Sequence, residues 1–188
     1  MATGVVVKIG GSLLDSVEAV LQELKTTPVP VLLIPGGGIF ADKIRTKKLN
    51  DEDAHWATIQ AMNQYGKFLS TYGLKTTEYL TLPKNGLQIL LPERIVREHD
   101  PLPHSWDVTS DSIALWVAQQ LNSRLFLIKS RSGDYKTDSE LVDTYFLTLA
   151  AEKSVKISVI NGRKLGSVAD CLSFLTETHF YNTMDPII

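Results

Sequence analysis

Hydrophobic residues in this chain come in short unbroken runs, set between longer stretches where they recur every three or four positions. Val5 to Ile9 and Val31 to Ile34 are such runs, the first interrupted only by Lys8, and each is followed closely by glycine. Runs this short and apolar at nearly every position predict strands buried on both faces. Arg124 to Ile128 and Lys156 to Ile160 predict two more, and shorter strands are expected at Glu78 to Leu82 and Leu87 to Leu91. The intervening stretches have helical period. Ser12 is placed to cap a helix running to about Lys25. A second helix follows PGGG with Phe40, Ile44 and Leu49 inward. A third spans Asp53 to Tyr72, with Trp56, Ile59, Met62, Phe68 and Leu69 on its apolar side. Further helices are expected at Asp111 to Leu121, Leu141 to Glu152 and Val168 to Leu175, while the polar, proline-bearing segment 97–111 reads as a loop. Strands alternating with helices imply a parallel sheet covered on both faces.

Composition bounds this picture without changing it. The chain of 188 residues suits one domain, 1–188, able to bury a sizeable core. Lys and Arg number 19 against 21 Asp and Glu, a net charge of −2, so no broad basic field invites nucleic acid or an anionic membrane. Cys171 is the single cysteine, which excludes an intramolecular disulfide and points to a reducing compartment. The apolar runs are far too short to span a bilayer, and VVV broken by Lys8 is unlike a secretory leader. A cytoplasmic protein is the expectation.

The chemistry gathers where parallel sheets bind ligands, at the carboxyl ends of the strands. Gly10 and Gly11 follow the first strand; Gly36, Gly37 and Gly38 follow the second. Glycine admits an anion close to the backbone, and the helix start beyond it adds favourable partial charge. Lys8 at the strand end reaches into the same place as a point charge. One cluster alone is as readily a tight turn; two clusters with Lys8 between strand and loop point to phosphate chemistry. The common nucleotide signatures are absent: no G-x-x-x-x-G-K-[ST], no G-x-G-x-x-G opening a helix, no H-R-D with D-F-G. No Cys/His cluster has zinc spacing.

KIGGSLL at 8–14, PGGGIFAD at 35–42, SWDVTSDSIA at 105–114 and the NG pair at 161–162 occur in the order found in the amino acid kinase superfamily. The chain resembles that superfamily over nearly its whole length. The resemblance implies a three-layer αβα sandwich with a mainly parallel central sheet. It also implies transfer of the γ-phosphoryl group of ATP, with Mg2+, to a carboxylate, phosphate or carbamate oxygen. Carried over by position, Lys8 is similar to the phosphate-binding lysine, and Gly10, Gly11 and Ser12 to the nucleotide-phosphate loop. Gly36, Gly37 and Gly38 resemble the loop that holds the acceptor. Asp111 resembles the aspartate that organises the active-site lysines; its alternative role is helix capping.

Within the superfamily, PGGGIFADKIR and DAHWATIQAMNQYG are most similar to the small kinases of methanofuran biosynthesis, which convert (5-(aminomethyl)furan-3-yl)methyl phosphate to its diphosphate. Under that resemblance Arg45 grips the acceptor phosphate, or else is a solvated helix residue beside Lys43, Lys47 and Lys48. His55, with Trp56, lines the furan pocket, or Trp56 belongs to the core. His99, His104 and His179 have no argued partner and read as surface residues. Where the superfamily carries a T-D-V-D-G-V-Y-like strand end near the nucleotide, this chain has IKSRSGDY, keeping Gly133 and Tyr135 but placing Ser130 and Ser132 at the acidic positions. The glycine-flanked second lysine has no counterpart, and Lys129 is the candidate to supply its charge. The readings that stay open are a kinase for this acceptor or for isopentenyl phosphate, UMP or an amino acid carboxylate, and a non-catalytic relative that binds nucleotide or metabolite. A homodimer or higher homo-oligomer is expected, with the long helix from Asp53 as its candidate surface.

Overall fold

β1, Val5–Ile9, runs through the middle of a six-stranded sheet. β2 (Val31–Pro35) and β5 (Leu125–Lys129) pair with it on either side. β3 (Lys75–Thr77) and β4 (Leu87–Leu90) extend the sheet beyond β2, and β6 (Ile157–Asn161) ends it beyond β5. The order is β3-β4-β2-β1-β5-β6, with every pairing parallel. The computed structural model describes residues 4–152 and 154–181.

Seven helices occupy the described residues: α1 (Val17–Lys25), α2 (Gly38–Arg45), α3 (Asp51–Ser70), α4 (Glu93–His99), α5 (Ser110–Gln120), α6 (Phe146–Glu152) and α7 (Ser167–Tyr181). Two hydrophobic cores result, one on each face of the sheet. Val5, Val7 and Ile9 pack with Leu21 and Leu24 of α1 and Val168 and Leu172 of α7. Val6 packs on the opposite face with Ile113 to Ala118 of α5 and Phe146 of α6. α3 feeds both layers, Ile59 and Met62 into the second core, Tyr65 and Leu69 into the first. This is the expected three-layer αβα sandwich.

Several elements differ from the sequence reading. No helix starts at Ser12: Gly11–Leu13 forms one turn of 3₁₀ helix, and α1 begins only at Val17. The tight turn buries Leu13 against Gly162, where a methyl group would come within 3.0 Å of it. β3 lies before the expected 78–82, because Lys75 to Thr77 suit an edge strand with exposed positions, while Leu80 and Leu82 pack on the α5-side core from a loop. α2 begins at Gly38, buries Ala41 more fully than Phe40 or Ile44, and ends before Leu49. Phe68 is on the outer side of α3, and buried Tyr65 takes the inward place.

α4 occupies the stretch leading into the expected loop, and covers its first three residues. Arg94–Glu98 and Arg97–Glu93 pairs support its outer face, and Ile95 and Val96 are buried. It stops at Asp100, whose φ of 42° is left-handed. Residues 141–145 are not helical: the Asp143 carboxylate accepts the Phe146 N–H three residues on, as a residue just before a helix does, and α6 starts only at Phe146.

Candidate functional site

An all-parallel sheet puts every carboxyl end on one edge, and the chain leaves β1 for β2 on one side before returning to β5 on the other. The crevice belongs at that switch. A cavity of about 360 Å³ lies there, reached by Lys8, Gly10, Gly11, Ser12, Gly37, Gly38, Asp111 and Lys129.

Strand parity decides which charges meet. Successive side chains on a strand point to opposite faces, so Lys8 shares the α5 face with Val6, and Lys129 shares it with Leu125 and Leu127. Lys8 is in register with Leu127, which sets Lys129 two residues further along the neighbouring strand. Asp111, in the first turn of α5, faces both lysines. Lys8 Nζ meets its Oδ1 as a close ion pair at 2.8 Å, and Lys129 Nζ donates to Oδ2 at 2.7 Å. Lys8 and Asp111 are only 4% and 5% exposed. Two ammonium groups around one carboxylate leave an excess positive charge beneath the cavity.

The electrostatics follow from that count. Burial alone would raise the Asp111 carboxyl, but Lys8 first and Lys129 second overcome it and hold the group below its ordinary value. Burial, reinforced by repulsion from Lys8, lowers the Lys129 ammonium to about 8 despite the opposing pull of Asp111.

The start of α5 is held from below. Asp143 accepts hydrogen bonds from the N–H of Thr109 at 3.0 Å and of Ser112 at 2.9 Å, and from the Thr109 hydroxyl at 2.8 Å. The Ser112 hydroxyl and the Phe146 N–H add to it. A carboxylate at a helix start satisfies otherwise orphaned donors and complements the helix dipole. Asp111 is thereby presented by a capped helix, and Asp143 rather than Asp111 is its cap.

The two glycine loops touch each other. A methyl group on Gly11 would lie 2.3 Å from the Gly38 Cα, so neither loop admits a side chain there. Gly38 has a φ of 53° and rests on the Tyr65 ring. Gly10 and Gly36 spend their N–H groups on the carbonyls of Ile128 and Ile9. The donors left for an anion are those of the first helical turns, from Gly11 and Ser12 in one loop and from Gly37 and Gly38 in the other. The Ser12 hydroxyl bonds Ser130 Oγ at 3.3 Å.

Away from the lysines, the cavity wall is one face of α3: Ala54, His55, Thr58, Ile59 and Met62, spaced as a helix requires. Opposite stand Val108 and Trp106, the latter 40% exposed. His55 stacks on His104 with ring centroids 4.3 Å apart, and Trp56 meets both rings edge-on. His104 Nε2 bonds Asp100 at 2.7 Å, and its Nδ1 bonds Glu52. Those two bonds raise the His104 pKa. Desolvation, and then the charge of His104, push His55 down to about 4.

The amino acid kinase family matches residues 3–147 of this chain. The chain belongs to that family. Among curated relatives, the [5-(aminomethyl)furan-3-yl]methyl phosphate kinase of Methanocaldococcus jannaschii is 30% identical over 199 residues, an alignment covering 89% of this chain and 92% of the relative. Two solved structures share the fold. UMP kinase from Bacillus anthracis superposes with a TM-score of 0.66 at 14% identity, covering 90% of this chain and 91% of its own. Uridylate kinase from Archaeoglobus fulgidus gives 0.60 at 13% identity, covering 91% and 95%. The chain is accordingly a phosphotransferase of the kinase type.

Most sequence-predicted positions come together in this amino acid kinase fold, but not all. Lys8, Gly10, Gly11, Ser12, Gly37, Gly38, His55, Asp111 and Lys129 line the cavity. Gly36 packs behind it, within 3.2 Å of the Gly11 nitrogen if given a methyl group. Gly133 and Tyr135 lie off it, Gly133 beside Leu141 and Asp138, Tyr135 against Phe146. Arg45 reaches the cavity mouth, yet it pairs with Asp42 at 3.0 Å and its side chain is 59% exposed. It does not turn fully inward. His104 is no idle surface residue, and His99 bonds the Ile95 carbonyl through Nδ1 and packs on Trp116. The His179 side chain lies outside the described residues. Asp143 carries no mark in the sequence beyond its type, and only the hydrogen bonds of the folded chain single it out; Trp106 lies within SWDVTSDSIA, but nothing in that stretch marks it as a cavity residue.

Proposed function

We propose that this kinase transfers the γ-phosphoryl group of ATP to the phosphate of [5-(aminomethyl)furan-3-yl]methyl phosphate, giving the diphosphate. The observation that carries the reading is the Lys8–Asp111–Lys129 cluster, whose surplus positive charge faces a cavity bounded by two glycine-rich helix starts. Phosphoryl transfer asks a protein mainly for positioning and for neutralisation of charge on the transferring oxygens. Lys8 and Lys129 supply the charge, and Asp111 fixes where it points.

What the described lining lacks speaks against an alcohol acceptor and supports one that is already ionised. Among the described residues, the carboxylates lining the cavity are Asp42 and Asp111, and both are engaged, with Arg45 and with the two lysines. An alcohol acceptor needs a general base. A phosphate monoester, with a second pKa of about 6, arrives at neutral pH already deprotonated. The residues fit a nucleotide polyphosphate: the backbone of Gly11 and Ser12 at a helical turn and the ammonium groups of Lys8 and Lys129 line the same cavity. They offer no protein cage for Mg2+, since no group of three or more His, Cys, Asp or Glu among the described residues is arranged to hold a metal. Mg2+ commonly keeps few protein ligands and binds through substrate phosphates. When bound, MgATP supplies the phosphoryl group.

Turnover of the purified protein with MgATP across a panel of the furan phosphate, isopentenyl phosphate, UMP and an amino acid tests this. The furan phosphate is expected to give the highest kcat/KM. Nucleotide binding without transfer to any acceptor would return the non-catalytic reading. The same proposal includes a homodimer through the outer face of α3, where Phe68 is 36% exposed beside Gln60 and Gln64. Light scattering giving only a 20.9 kDa species would remove it.

A further inference from the structure

His55 is an expensive residue to place in an apolar wall. It is 3% exposed, it lines the cavity, and its Nε2 is buried with no hydrogen-bond partner. Such a nitrogen loses its water without replacement, a cost that a donor on a ligand would recover. His55 also stands away from the lysines. Gly38 rests on Tyr65, and His55 lies ten residues earlier on α3, about three turns back along the helix, with Thr58 and Met62 forming the wall between. A ligand with its phosphate between the glycine loops presents its other end to this wall.

The surroundings decide which protons His55 carries. His104 meets a carboxylate at each ring nitrogen, Glu52 at Nδ1 and Asp100 at Nε2, and both contacts favour its protonated form. Its stacked ring disfavours a second proton on His55, and burial acts in the same sense. Arg97, over the Trp56 ring, adds a further positive charge nearby. A neutral imidazole keeps one lone pair. Glu52 and Asp100 act on His55 in the opposite sense to His104 and Arg97, so what this wall offers an amine is the lone pair of a neutral acceptor.

We propose that His55 is a specificity-determining residue that accepts a hydrogen bond from an amine at the far end of the acceptor, selecting amine-bearing phosphate monoesters over their des-amino counterparts. This rests on the phosphate-acceptor reading above. Calorimetry with [5-(aminomethyl)furan-3-yl]methyl phosphate and (5-methylfuran-3-yl)methyl phosphate, on wild type, His55→Phe and His55→Gln, tests it. Wild type should bind the amine at least tenfold more tightly than the methyl compound. His55→Phe should bring the two within about threefold, and His55→Gln, whose amide oxygen still accepts, should retain most of the preference. ATP affinity of each variant reports that the fold is intact. Equal wild-type binding of the two phosphates overturns the role of His55 while leaving the phosphate-acceptor reading standing. So does an undiminished preference in a folded His55→Phe. Failure of wild type to bind either phosphate overturns both.

Discussion

The cavity joins two clusters of charged side chains that are built in opposite ways. At the sheet end, Lys8, Asp111 and Lys129 are all largely buried, with cations in excess. At the α3 end, Glu52, His104 and Asp100 are partly open to water, with anions in excess and the carboxylates more than half exposed. Exposed pairs contribute about 0–1 kcal/mol, because water already solvates both partners and salt screens them. Buried ones are costly, and removing one partner exposes the full desolvation penalty. The sheet-end cluster therefore spends stability to hold an unneutralised charge, and the α3-end cluster spends little. Only a ligand carrying negative charge recovers the first cost.

The sharpest way to break that contrast is Asp111→Asn, which keeps the shape and leaves two buried ammonium groups facing a neutral amide. We expect stability to drop by about 3–5 kcal/mol, the cost of uncompensated buried charge. Turnover should slow by about 10²-fold or more, since the lysines lose the group that orients them. Thermal denaturation and steady-state kinetics read the two effects. A variant as stable as wild type would show that the carboxylate does not hold the lysines.

Lys8→Ala separates charge from stability. It leaves Asp111 paired with Lys129 as a neutral couple, so melting should change little while turnover slows by about 10²-fold, the loss typical of a single preorganised donor. Wild-type turnover in this variant would make Lys8 a structural residue.

These residues are unevenly legible in the sequence. Lys8 stands out because it interrupts an apolar strand just before glycine, a pattern that few structural needs produce. The parity that sets Lys8 and Lys129 on one face is also available, since Leu125, Leu127 and Lys129 alternate with Phe126 and Ile128. Asp143 is not, because its partners Thr109 and Ser112 are 34 and 31 residues distant and only folding brings them together. His104 lies hidden for the same reason: Glu52 is 52 positions away. The strand at 75–77 is easily misplaced to 78–82, because an edge strand lacks the apolar run that marks a buried one. Glycine does mark a place of close approach, but the neighbour that Gly11 approaches is another loop as well as any anion.

A smaller effect comes from pH. Lys129 is lowered to about 8, chiefly by burial, so it is charged below that pH and neutral above it. If transfer needs both cations, kcat/KM should fall on the alkaline side with a midpoint near pH 8. Lys129→Arg, always protonated, should move that limb out of range even if it lowers the plateau. Linkage gives an independent sign. Between pH 8 and the ordinary lysine value of 10.5 the unfolded chain binds the proton that the folded chain has released, so this group makes stability rise with pH in that window. An alkaline limb unchanged in Lys129→Arg would assign it to another group.

The smallest effect is expected at Arg45, on the boundary between the two clusters. Its position after the second glycine loop allows it to grip the phosphate of the proposed acceptor, but its guanidinium pairs with Asp42, and the two side chains are 59% and 67% exposed. To bind an inner anion it must leave that partner and lose the water around it. The pair itself contributes about 0–1 kcal/mol, so the exchange gains little unless the acceptor comes to the mouth of the cavity. Arg45→Ala should therefore raise the acceptor KM by a few-fold at most, with kcat and ATP affinity held. Since exposed charge is screened, the effect should shrink further between low and physiological salt. A hundredfold rise in KM that survives high salt would mean that α2 closes over the substrate and carries Arg45 inward. Measuring KM for the furan phosphate with wild type and Arg45→Ala at two ionic strengths separates a guanidinium that only steers the acceptor from one that clamps it.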